Sequence, residues 1–106
     1  MTTDDGHLVF CNRSDFSTAV AIHKSFVSLV RWIRVTRFAT FVLLGVILIV
    51  CAYLPQRGHG DDLYDEAIDE IRATRTRAPK HRHVYLACDA NSSLDGFADC
   101  PVVWSR

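Results

Sequence analysis

The feature that constrains this chain most is an uninterrupted apolar run, Phe38–Leu54, FATFVLLGVILIVCAYL. It holds no charged residue, and its polar side chains are only Thr40, Cys51 and Tyr53. A helix apolar on every side needs either surrounding protein layers or a bilayer. The flanking segments are rich in charge and offer no second run of comparable hydropathy. The run therefore predicts a transmembrane helix. In hydrocarbon a lone span must satisfy its own backbone hydrogen bonds, so it must be helical. At about 1.5 Å per residue the run alone falls just short of a ~30 Å hydrocarbon core. Adding Val35–Arg37 and letting the arginines snorkel closes the gap, giving a span of about 36–54.

The basic residues set the expected orientation. Lys24, Arg31, Arg34 and Arg37 lie close before the run, and only Arg57 lies close after it. The excess of positive charge belongs on the cytoplasmic side, so Arg31, Arg34 and Arg37 predict a type II protein with an uncleaved signal anchor. The run starts after a long polar head and has no small-residue cleavage site behind it, which disfavours a cleaved signal peptide. This reading places the chain in the endoplasmic reticulum, the secretory pathway or a viral envelope, in preference to the mitochondrial inner membrane.

Before the run, Phe16, Ala19, Val20, Phe26, Val27, Val30 and Ile33 recur at helical spacing, and no acid occurs between Asp15 and Asp61. The pattern predicts an amphipathic helix over about 15–34, lying on an anionic membrane surface with Trp32 in the headgroup zone. After the run, Pro55–Gly60 reads as a loop. Leu63, Ala67, Ile68 and Ile71 then predict a short helix over about 61–75. Its leading acids and trailing arginines suit the helix dipole.

Val84–Cys88 and Pro101–Trp104 read as short strands. Cys88 and Cys100 would share the exterior segment and predict a disulfide. Closing that loop would contribute about 3 kcal/mol in the loop-entropy model. The expected architecture is thus mainly α, in three parts. Residues 1–37 form a cytoplasmic head, 38–54 the span, and 55–106 an exterior tail with a small disulfide-closed hairpin or loop.

Few motifs carry chemistry. Asn91-Ser92-Ser93 is an N-glycosylation sequon on the predicted exterior side. His81, His83, Cys88 and Cys100 lack the paired knuckles of a zinc site. Asp89, Asn91, Ser93 and Asp95 alternate like the start of a calcium loop, but Leu94 and Cys100 occupy positions where that loop needs Gly and Glu. No nucleophile elbow, phosphate-binding glycine loop or zincin motif is present. Twelve basic and twelve acidic residues give no net pull toward nucleic acid. The expectation is a non-enzymatic protein with no catalytic residues, no cofactor, no metal and no small-molecule substrate. It would be an anchored interaction or accessory subunit of an envelope or surface complex. Its partners would be the lipid bilayer and other membrane proteins or itself, contacted through Tyr85, Phe97 and Trp104. The alternatives are a single-span accessory subunit of an organellar complex and a small oligomeric channel or membrane-remodelling protein.

Overall fold

The computed structural model describes residues 7–11, 18–55, 61–90 and 102–105. The chain is mainly β. In order, it forms β1 (Leu8–Cys11), β2 (Ala19–Ile22), a 3-10 segment (Lys24–Leu29), β3 (Val30–Val35), β4 (Ala39–Leu44), β5 (Ile47–Leu54), α1 (Asp61–Arg77), β6 (His83–Ala90) and β7 (Val102–Ser105). The strands make two sheets. One is the antiparallel pair β1-β2. The other has five strands in the order β3-β4-β5-β6-β7, antiparallel from β3 to β5 and parallel from β5 to β7.

The apolar run is not a helix. It is two paired strands, β4 and β5, joined by a two-residue turn at Gly45-Val46, with Leu44 opposite Ile47. Gly45 has φ +61°, while Val46 keeps an ordinary negative φ. A positive φ at the first central residue only is the type II′ arrangement, whose twist matches a hairpin. Among the described residues no helix is long and apolar enough to cross a membrane. The expected mainly α, single-pass, type II architecture is therefore overturned. With it go the signal anchor and the single-pass type II placement.

The run is continuously apolar because both of its faces have a layer to pack against. Alternate residues of a strand point to opposite faces. Ala39, Phe41 and Leu43 with Leu48, Val50, Ala52 and Leu54 pack toward α1, joined by Val84, Leu86 and Cys88 of β6. Val42, Leu44, Ile49 and Cys51 lie on the other face, where Val20 and Ile22 of the β1-β2 hairpin pack. A central strand covered on both sides reads as a solid apolar run, as strands of buried sheets do. Phe38, Phe41, Leu43, Leu48, Leu54 and Leu86 are fully buried. At about 1.5–3 kcal/mol for each buried side chain, this cluster supplies the main driving force.

The predicted amphipathic helix over 15–34 is instead β2, the 3-10 segment and β3, in the part of it that is described. Ala19–Ile22 alternates exposed and buried, the signature of a strand. The stretch is rich in β-branched residues, which lose rotamer freedom in a helix but fit a pleated surface. Trp32 does not sit in a headgroup zone. It packs on the core beside Phe41, with ring centroids 6.5 Å apart at 64°.

α1 is present and runs two residues past the expected end. It buries Tyr64, Ala67, Ile68, Ile71 and Thr74, and Leu63 is only half-buried. Tyr64 thus replaces Leu63 at the start of the stripe. The helix connects β5 to its parallel neighbour β6, the crossover that parallel strands require. The expected hairpin of the C-terminal strands is also corrected, because β6 and β7 are parallel.

Candidate functional site

Three places in this fold carry features that packing alone does not require. The first is the sheet face away from α1. On β5 the burial alternates strictly: Leu48, Val50, Ala52 and Leu54 are buried against α1, while Ile47 is exposed and Ile49, Cys51 and Tyr53 are half-buried. On β6 the same face carries Tyr85, 46% exposed, and half-buried Ala87. The β1-β2 hairpin lies over β4 and reaches β5. Thr18, buried beside β2, hydrogen-bonds Thr40 hydroxyl to hydroxyl at 2.9 Å and fixes the hairpin there. Ile49, partly covered by it, borders exposed Ile47 and Tyr85, and the three form an apolar strip with no carboxylate or arginine among them. The register sets Val102 of β7 beside Tyr85 and Trp104 beside Ala87.

The second place is the carboxyl end of β5 and β6. The β3-β4 turn reaches it, because Ala39 pairs with Ala52 and the Tyr53 amide donates to the Phe38 carbonyl at 2.9 Å. α1 starts at this end and is tied to the turn. The Phe38 amide donates to the Glu70 carboxylate at 3.3 Å, and Arg37 pairs with Glu66 at 3.4 Å while its guanidinium covers the Phe38 ring. Tyr53 and Asp89 are register partners there.

The third place is the opposite end, where α1 runs into β6. The Arg82 and His83 amides both donate to the Val46 carbonyl, at 2.8 and 3.3 Å, which docks the connection on the β4-β5 turn. Beside it lies an open cleft of about 420 Å³ lined by Arg72, Arg75, Thr76, Pro79, Lys80 and His81.

The sequence-derived site residues are dispersed over these places. Arg31 and Arg34 lie exposed on the edge strand β3, and Arg31 donates to the Gly45 carbonyl at 3.1 Å. Exposed charges on an edge strand disfavour its pairing with other chains. Cys88 is buried in the core that β6 shares with α1, and among the described residues no disulfide is found, which corrects the expected disulfide-closed tail. Cys100 itself lies outside the described residues, as do Asn91 and Phe97. Of the three expected contact residues, Tyr85 is exposed and Trp104 is on β7.

Among the described residues no three His, Cys, Asp or Glu groups gather as metal ligands. His83 and Cys88 are five apart on one strand, an odd separation that sends them to opposite faces. No family model, curated protein or solved structure matches this chain. The β5 part of the strip, Ile47 and Ile49, was not legible as a surface in the sequence, since both residues sit inside the apolar run. The α1–β6 cleft had a signal in the sequence, the run of basic residues from Arg72 to Arg82.

Proposed function

We propose that this chain is an interaction protein that associates with a second copy of itself through the apolar strip of β5 and β6. The observation that carries this reading is the contrast between the two faces of β5. One is sealed by α1, and the other leaves Ile47 and, on β6, Tyr85 open to solvent. A two-fold pairing brings identical strips together, and the strip has no carboxylate or arginine to oppose its own image. Two sheets packing face to face lie about 10 Å apart with interdigitated side chains, and the paired molecules would form a layered sandwich with α1 on each outer side. Aromatic anchors such as Tyr85 dominate interfaces of this kind.

Sedimentation of the full chain across 1–200 μM tests the reading, with Ile47→Lys/Tyr85→Lys as the comparison. A dimer that the double variant turns into a folded monomer supports it. A monomer throughout the range, or a dimer that the double variant leaves unchanged, rejects it.

A second reading is favoured by the position of Asp89. Ligands of open α/β sheets bind outside the carboxyl ends of parallel strands. The register puts Asp89 near that end of β6, beside Tyr53, with Arg37 in the neighbouring turn. A divalent cation held by one or two carboxylates commonly takes its remaining ligands from a phosphate. On this reading the chain binds a phosphate-bearing ligand together with Mg²⁺ or Mn²⁺. Calorimetric titration with Mn²⁺, with and without a nucleoside monophosphate, reads it. Heat that Asp89→Ala abolishes favours it, and heat indifferent to Asp89→Ala rejects it.

A further inference from the structure

The α1–β6 cleft is unlike the rest of the surface in charge. The chain as a whole is balanced, twelve basic residues against twelve acidic. Yet Arg72, Arg75, Arg77, Lys80 and Arg82 fall within 72–82, and no acid occurs between Glu70 and Asp89. The acids of α1 all precede Arg72, running from Asp61 to Glu70 on a helix that starts at the other end of the sheet. Strand β6 is eight residues long, so at about 3.3 Å per residue the two ends lie roughly 25 Å apart. That separation exceeds the ~8 Å screening length of physiological salt, so the acids at the start of α1 are screened from the cleft, while Asp69 and Glu70, within a turn of Arg72, are not among the residues that line it.

The fold holds these groups in place. Arg72 and Arg75 are three apart and therefore neighbours on one side of α1. The helix end is closed by the Ala78 amide, which donates to the Thr74 and Arg75 carbonyls at 3.1 and 3.2 Å, and the Thr76 hydroxyl donates to the Arg72 carbonyl at 3.0 Å. Those bonds occupy carbonyls that would otherwise present negative charge to the cleft. Pro79 fixes the chain direction, and the His81 ring is held by a 2.9 Å bond between Nδ1 and the Pro79 carbonyl. A carbonyl only accepts, so Nδ1 is the donor in that bond, which fixes the ring at the edge of the cleft.

We infer that this cleft binds a compact polyanion, a phosphate or pyrophosphate group of a small molecule. Arginines hold such groups bidentately and lysine adds a point charge. A cleft of about 420 Å³ suits a small ligand. No carboxylate is among its lining residues. The site is independent of the self-association proposed above, because it lies at the helix side of the sheet end and uses none of the same residues.

The test is thermal unfolding and phosphorus NMR of the full chain with inorganic pyrophosphate. Sodium chloride at matched ionic strength and a single-stranded oligonucleotide serve as comparisons. Pyrophosphate should raise the melting temperature and broaden its own resonance, with chloride doing neither. Arg75→Glu/Lys80→Glu should weaken binding at least tenfold, Arg75→Lys should weaken it less, and Arg34→Ala, on the edge strand β3, should leave it unchanged. Circular dichroism verifies that the double variant is folded. Should it fail to fold, Lys80→Ala with His81→Ala takes its place. The inference fails if chloride reproduces the effect, if the charge-reversed variant binds pyrophosphate as the parent does, or if only the oligonucleotide binds.

Discussion

At the scale of single residues, the core is tied to a few side chains that serve as markers. Phe41 is fully buried between β4 and α1 and makes the edge-to-face contact with Trp32. Phe41→Ala should cost about 3–5 kcal/mol, the range for deleting a buried aromatic ring, and denaturant unfolding will read it. A cost under about 1 kcal/mol would mean that the α1 face is not the core. The thiols give a second check. Cys11 is exposed and Cys88 is buried. An alkylating reagent should modify Cys11 within the mixing time and Cys88 only as fast as the protein opens, read by mass spectrometry. Equal rates for the two would contradict the placement of β6 against α1.

At the scale of elements, β3 is an edge strand with large apolar residues open to solvent, Ile33 and Val35, between two arginines and a turn. Edge strands with this composition template aggregation unless charges interrupt them. Arg34→Val should leave the native stability nearly unchanged and raise the rate of light scattering on incubation at 37 °C. An unchanged rate would show that Arg34 has no such role. α1 illustrates what was legible beforehand. Its acids, its arginines and its stripe of Ala67, Ile68 and Ile71 follow the 3.6-residue period and the dipole, so it can be read locally. Its first buried residue, Tyr64, escaped because Leu63 fits the same stripe on a wheel and only the docked angle of the helix separates them. The strand at Val84–Cys88 was legible from β-branched and aromatic residues. Its parallel pairing was not, since direction is set by the crossover through α1.

At the scale of the whole molecule, the fold is a sheet with one face sealed and the other partly covered. That asymmetry makes stability depend on concentration if copies associate. A tenfold rise in protein concentration is worth about 1.4 kcal/mol to a dimer, about 0.7 kcal/mol for each chain, and for a domain this size 1 kcal/mol moves the melting temperature by about 4–8 °C. The parent should melt several degrees higher at 200 μM than at 20 μM, and Ile47→Lys/Tyr85→Lys should lose that dependence. A concentration-independent parent would sink the association. The charge distribution belongs to this scale too. The total is zero, so composition gave no reason to expect an anion site, and only the placement of residues 72–82 around one cleft separates the charges in space.

By itself the sequence determined that residues 38–54 must leave water, that the chain turns helical near Asp61, and that basic charge gathers before Val84. Each of these follows from transfer free energy or local periodicity, quantities that a stretch of chain carries alone. Only the tertiary structure decided what the apolar run packs against. A run buried on both faces of a sheet and a run crossing a bilayer satisfy the same hydropathy. The choice rests on Gly45 turning the chain back, on α1 covering one face, and on the β1-β2 hairpin covering part of the other. Those contacts join residues far apart in sequence, and no local period encodes them.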